Sequence, residues 1–243
     1  MKKTVLLTGA SGGLGKYIAL ALGNAGYAIA LHYHTGKAAI TKLARQLEEA
    51  GISHEIYAAD VTSETEVQAM VAKVEKDHGS IGVLINNAGI SIDGMVHKMS
   101  LEHWNKSIAV NLTGPFLCIK HVFPQMKKNG FGRIINMSSV VAFNGVAGTS
   151  AYASSKAGLS GLTKTVSKEG APFNITMNSL ALGYFDAGML NQVSADMQAK
   201  ILGSIPAGKF GHPDAITNCI LHLCEDDSSY LTGQTIHING GMF

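Results

Sequence analysis

Four short runs in this chain are apolar through their centres instead of alternating: KTVLLT (3–8), AIALHY (28–33), IGVLIN (81–86) and GRIINM (132–137). A strand with one face in water alternates polar and apolar residues. One that is apolar throughout is covered on both faces, the condition of a strand inside a parallel sheet. Three more runs, HEIYAA (54–59), NITMNSL (174–180) and TIHIN (235–239), also read as strands. Between them lie helical patterns at 14–25, 37–50, 64–78, 101–128, 151–170, 189–203 and 213–225. In 64–78, Val67, Met70, Val71 and Val74 recur at helical spacing behind the capping stretch TSETE. Strands alternating with helices of this length predict a three-layer α/β arrangement with a doubly wound, seven-stranded parallel sheet. No linker, repeat or low-complexity tract interrupts the pattern, so residues 1–243 read as one domain.

Composition narrows the function classes. With 19 Lys+Arg against 17 Asp+Glu and no basic stripe, nucleic acid is not an expected partner. The apolar part of MKKTVLLTGA breaks on GASGG, too short for a leader, and no run approaches a membrane span. Cys118, Cys219 and Cys224 form no even framework, which fits reduced thiols. The expectation is a soluble, cytoplasmic protein. Cys219, His222 and Cys224 in CILHLC do not share one helical face well and lack a fourth ligand, so no metal is expected. His32 and His34 share a strand face, again without further ligands, and read as cofactor-pocket or surface residues.

TGASGGLG, residues 8–15, follows the first strand directly. Gly9, Gly13 and Gly15 stand where the chain must turn sharply, admit an anion to the backbone and pack a helix on the sheet. A helix starting near Gly13 presents free N–H groups to a pyrophosphate. This is a dinucleotide-binding turn of the Rossmann kind. Such folds often bind NAD ribose with an acidic residue after the second strand. Here Tyr33 holds that position, followed by His34, Thr35 and Lys37, so the reading leans to NADP, with NAD not excluded.

Tyr152 and Lys156, in SAYASSK (150–156), lie four apart in an Ala/Ser-rich helical stretch and share a face. Tyr33 and Lys37 repeat the spacing at a strand end, with Gly36 between, where no helix aligns them. A free phenol titrates near pH 10, and an adjacent ammonium, aided by the charge of an oxidised nicotinamide, is expected to lower that value and ready Tyr152 for proton transfer.

The TGxxxGxG turn, NNAG (86–89), the DV pair Asp60–Val61 and the YxxxK pair, in this order, resemble the short-chain dehydrogenase/reductase family. The matches run from residue 4 to 241. The resemblance implies a catalytic set of Asn111, Ser139, Tyr152 and Lys156. Ser139 stands 13 residues before Tyr152, the family spacing; Ser138 competes, and spacing favours its neighbour. The family's asparagine holds a relay water on its backbone carbonyl. Here Pro115, four residues beyond Asn111, has no N–H to donate to that carbonyl. The implied cofactor contacts are Thr8, Gly9, Ser11, Gly13, Leu14, Gly15, Tyr33, His34, Asp60, Val61, Asn87, Ala88, Gly89, Tyr152, Lys156 and Gly183.

NAGISIDGMVHKMS (87–100), VNLTG (110–114) and YLTGQTIHINGGMF (230–243) look most like the beta-ketoacyl-[acyl-carrier-protein] reductases of that family. The likeness implies NADPH-dependent reduction of a 3-ketoacyl thioester on acyl carrier protein or coenzyme A, by a homotetramer. Three features depart from the subgroup. Gly130 and Phe173 stand where its two carrier-docking arginines do, and LGYFDAGM (182–189) replaces its PG and following threonine with Leu182 and Ala187. Oxidation of another alcohol and a non-catalytic dinucleotide sensor are the alternatives. Residues 189–210 are expected to cover the substrate.

Overall fold

The computed structural model describes residues 3–188, 190 and 194–243. Seven strands form one parallel sheet: β1 Thr4–Leu7, β2 Ala28–Tyr33, β3 His54–Ala58, β4 Ile81–Asn86, β5 Gly132–Ser139, β6 Ile175–Leu182 and β7 Thr235–Ile238. Their order is β3-β2-β1-β4-β5-β6-β7. Every residue of β1, β4, β5 and β6 is buried, while the edge strands β3 and β7 are largely half-buried or exposed.

Side-chain alternation divides the apolar residues between two cores. Val5, Leu7, Val83, Ile85, Ile135 and Met137 point to one face, with Ile18 and Leu22 of α1 (Gly15–Asn24), Leu43 and Leu47 of α2 (Lys37–Glu49) and Ile220 and Leu223 of α9 (Asp214–Cys224). Leu6, Leu84, Ile134 and Met177 point to the other. There they meet Val67 and Val71 of α3 (Glu64–His78), Leu117 and Val122 of α5 (Gly114–Asn129) and Val166 of α7 (Ser150–Gly170). The apolar runs lack alternation because both faces are packed. Cys224 lies in the first core and Cys118 in the second.

Several boundaries differ from the sequence reading. The long helix expected over 101–128 is three pieces: α4 (Leu101–Ile108), a π-helical segment Ala109–Thr113, and α5. Gly114 donates its N–H to the Ala109 carbonyl, five residues back, instead of four. β5 reaches Ser139 because β6 runs on to Leu182 and pairs with it. A short helix, α6 (Val141–Asn144), then follows. The helix expected over 189–203 begins at Ala195, as α8 (Ala195–Gly203); Met189 and residues 191–193 lie outside the described residues.

Strand order reverses between β1 and β4, opening a crevice at the carboxyl ends of these strands. The turns after β1 and β4, Ser139 at the end of β5 and Gly183 after β6 gather there.

Candidate active site

The turn after β1 is clamped from the β4 side. The Thr8 hydroxyl accepts the N–H groups of Asn87 and Ala88 at 3.0 Å each and donates to the Ile85 carbonyl at 3.2 Å. The Asn87 amide donates to the carbonyls of Thr8 (3.0 Å) and Gly9 (2.9 Å). Gly9 has φ +62°, and a Cβ there would sit 2.7 Å from Ala88 Cα, so both conformation and space demand glycine. The helix starts at Gly15, two residues later than the sequence suggests. Among the described residues, the N–H groups of Ser11, Gly13 and Leu14 have no hydrogen-bond acceptor. Three free donors ahead of a ten-residue helix suit a pyrophosphate.

The end of β2 carries no carboxylate. Tyr33 is half-buried; His34 is exposed, its Nε2 4.0 Å from the Asp60 carboxylate. Asp60 also accepts the N–H (2.9 Å) and hydroxyl (2.8 Å) of Thr62. The Ser11 hydroxyl donates to the Thr35 carbonyl at 3.1 Å, fastening the glycine turn to this loop. Val61 is buried under Gly114, and Gly183 donates to the Ile238 carbonyl at 2.8 Å. The loop after β6 also reaches the turn, for a Cβ on Gly13 would lie 2.3 Å from Gly188 Cα.

His32 belongs neither to the surface nor to an open pocket. It is 1% exposed, and both its ring nitrogens are bonded. Nδ1 accepts the Gly9 N–H at 3.0 Å, and Nε2 lies 2.9 Å from the Ala59 carbonyl. The sequence did hold a signal: a lone polar residue inside AIALHY, on a face that must be packed.

Tyr152 stands in the first turn of α7, with Lys156 one turn on; they are 8% and 5% exposed. The Lys156 ammonium donates to the Met137 carbonyl of β5 at 2.7 Å and lies 5.8 Å from the centroid of the Tyr152 ring. The Ser138 hydroxyl donates to the Lys156 carbonyl at 3.1 Å, so Ser138 ties α7 to β5. Ser139 is the serine beside the phenol, and its Oγ also accepts the Val141 N–H at 3.2 Å.

Asn111 sits in the π-helical segment, fully buried. Its amide bridges the backbone of Ile90, accepting the N–H at 2.8 Å and donating to the carbonyl at 2.9 Å. It also donates to the Ser155 hydroxyl at 3.0 Å, which in turn donates to the Tyr152 carbonyl at 2.7 Å. The sequence reading concerned the Asn111 backbone alone and did not single out Ser155. No pattern in SAYASSK marks which of its serines faces inward. A Cβ on Gly89 would lie 3.3 Å from both Asn111 Oδ1 and Lys156 Nζ, so the turn after β4 borders the same centre.

The electrostatics correct one expectation. Burial pushes the Tyr152 phenol above its ordinary value of 10.0; the Ser139 hydrogen bond opposes this, and Tyr184 and Asp93 reinforce it. Burial also brings the Lys156 ammonium down from 10.5 to about 8. The protein's own groups therefore keep the phenol protonated. Tyr152 clusters with Val140 and Val141, with Tyr184 and Met242 packed against them, and desolvation is the largest effect on the phenol.

A family model described as enoyl-(acyl carrier protein) reductase matches residues 9–243. The chain is 40% identical over 243 residues to the 3-oxoacyl-[acyl-carrier-protein] reductase FabG of Staphylococcus epidermidis, with both chains covered in full. It is 39% identical over 244 residues to the acetoacetyl-CoA reductase of Rhizobium meliloti, covering all of this chain and 99% of that one. A solved structure from Agrobacterium tumefaciens, provisionally described as a gluconate dehydrogenase, superposes with a TM-score of 0.94 at 28% identity, over 99% of this chain and 95% of that one. Full-length kinship of this order, on a doubly wound sheet, places the chain in the short-chain dehydrogenase/reductase family, among oxidoreductases that act on CH–OH and ketone groups.

Proposed function

We propose that this protein is an NADPH-dependent reductase of 3-ketoacyl thioesters. One observation carries the reading: a buried tyrosine and lysine, one helical turn apart, meet a strand-end serine beside a glycine turn with free N–H groups. The full-length relatives named for 3-oxoacyl-carrier and acetoacetyl-CoA reduction support it. The turn fits a dinucleotide, and Tyr33, His34, Thr35 and Lys37 leave room for a ribose phosphate where a carboxylate would repel one.

When bound, the dihydronicotinamide supplies the hydride. Ser139 and Tyr152 hold the substrate carbonyl oxygen by hydrogen bonds, and Tyr152 gives it a proton. A phenol kept above its ordinary pKa is fully protonated at neutral pH, the state that reduction needs. Lys156, anchored on the Met137 carbonyl, bonds ribose hydroxyls and stabilises the phenolate left behind. Asn111 fixes the Ile90 backbone and, through Ser155, the first turn of α7. Its own carbonyl takes no i+4 donor, since Pro115 has no N–H, and would hold a water that resupplies the proton Lys156 passes to the phenolate.

The acyl carrier is coenzyme A or a weakly docked carrier protein. Gly130, at φ +66°, ends α5 where the resembling subgroup has an arginine, and Phe173 replaces the second. The Lys127 ammonium lies 4.3 Å from the Phe173 ring centroid, leaving a reduced cationic patch for an acidic partner. The enzyme is proposed to work as a cytoplasmic homotetramer; among the described residues, no helix is long and apolar enough to cross a membrane.

The deciding assay follows oxidation of NADPH and NADH with acetoacetyl-CoA, a carrier-bound ketoacyl thioester, crotonyl-CoA and unrelated ketones. Acetoacetyl-CoA turnover with NADPH preferred is the expected result. Turnover of crotonyl-CoA alone would make the protein an enoyl reductase, and NAD-dependent oxidation of a hydroxy acid would make it a dehydrogenase. Tyr152→Phe should lower kcat at least ~100-fold with dinucleotide affinity retained. Unchanged turnover removes the mechanism.

A further inference from the structure

We propose that His32 is a positioning residue for dinucleotide binding: its neutral imidazole holds the glycine turn in the shape that takes a phosphate. The inference rests on the reading that this turn binds the dinucleotide. The first peptides of the turn offer nothing to an anion, because protein groups already hold them. Gly9 gives its N–H to His32 Nδ1 (3.0 Å), and its carbonyl accepts the Asn87 amide (2.9 Å) and the Gly12 N–H (3.0 Å). Ala10 gives its N–H to the His32 carbonyl at 2.8 Å. What these bonds fix is the direction of the three N–H groups that follow, on Ser11, Gly13 and Leu14.

The geometry also sets the tautomer. A carbonyl cannot donate, so Nε2 carries the hydrogen toward Ala59, and Nδ1 is the bare acceptor for Gly9. A second proton would go to Nδ1, opposing two donors and cutting β2 from the turn. Burial lowers the pKa of His32, more than the Ala59 bond raises it. Two neighbouring groups act on it: His34 on the same strand, which lowers the pKa, and Asp60 after β3, which raises it. The glycine turn itself carries no titratable side chain. His32 is therefore neutral at pH 7, and the bond fails only in acid.

The test is calorimetric titration of the full chain with NADP⁺ and NAD⁺, forms that survive acid, from pH 8 to pH 5. NAD⁺ is included because a 2′-phosphate itself titrates near pH ~6. The variants are His32→Asn, whose Oδ1 accepts a hydrogen bond but does not titrate, and His32→Leu, which cannot accept. Wild type should keep its affinity for both dinucleotides at neutral pH and lose it only in acid, by up to about tenfold, the worth of one backbone hydrogen bond. His32→Asn should stay within about threefold of wild type at pH 8 and remain flat to pH 5. His32→Leu should bind at least about tenfold more weakly at every pH. The proposal is overturned by wild-type affinity in His32→Leu, by a loss of about tenfold at pH 8 in His32→Asn, or by an acid loss in His32→Asn equal to that of wild type. If circular dichroism shows His32→Leu unfolded, the His32→Asn profile decides alone. Failure of wild type to bind either dinucleotide at pH 8 would instead remove the functional reading beneath it.

Discussion

Replacing Lys156 with methionine should change how stability depends on pH. The amine is 5% exposed, has the Met137 carbonyl as its hydrogen-bond partner and titrates near 8 against an ordinary 10.5. At about 1.4 kcal/mol per pH unit, holding the ammonium in this environment costs about 3 kcal/mol below pH 8. Between the two values the unfolded chain binds the proton and the folded chain does not, so stability rises with pH. The effect is complete above 10.5 and lost as pH falls through 8. Relative to Lys156→Met, wild type should gain about 2 kcal/mol between pH 7 and pH 9.5. Urea unfolding of both proteins at these two pH values measures it, and the difference between them cancels the groups they share. The lost bond to Met137 adds a constant offset and leaves the slope untouched. Parallel pH profiles for the two proteins would show that the amine is solvated, and the electrostatic account of the site would fall with it.

The same titration should appear in kinetics. With dinucleotide limiting, kcat/KM for reduction should be level below pH 8 and fall up to tenfold per unit above it as free Lys156 loses its proton, whereas a level profile to pH 10 would separate Lys156 from catalysis. Assembly should follow the exposed apolar groups. Phe116 on α5 is 47% exposed, and Phe143, His237 and Phe243 form an exposed aromatic cluster beside β7. Four chains of 25.5 kDa should give a light-scattering mass of about 100 kDa, and a monomer would refute the tetramer.

The sheet was legible because burying a strand on both faces removes polar residues from its centre, and β1, β2, β4 and β5 carry that mark individually. The glycine turn and the Tyr152–Lys156 spacing were legible for a similar reason: backbone shape and helical period are local properties. The break in the 101–128 helix was not. Pro115 shows that one bond is missing, but the choice of a five-residue register at Ala109 depends on where Asn111 must reach across to Ile90. The upward push of burial on the Tyr152 phenol was not legible, because a sequence shows the nearby charge and conceals the desolvation. Val140 with Val141, Tyr184 and Met242 come to the cluster around Tyr152 from three separate places in the chain.

Four of the residues that hold the candidate site tie it in the same way. Lys156 reaches the carbonyl of Met137, Asn111 the backbone of Ile90, Asn87 the carbonyls of Thr8 and Gly9, and His32 the amide of Gly9 and the carbonyl of Ala59. Each runs from a side chain to the backbone at or just beyond the carboxyl end of a strand. Backbone atoms there are fixed by the sheet ladder but no longer consumed by it, so they offer rigid, unspent partners. A side chain bonded to such an atom inherits the precision of the sheet, whereas one bonded to another side chain inherits two sets of rotamers. This explains why the proposed chemistry can depend on a tyrosine and a lysine carried by a helix. Ser138 and Lys156 bind the helix to β5 at two points, and Ser155 and Asn111 bind its first turn to the loop after β4. Loosening any one of these ties should blur the geometry while leaving the sheet intact.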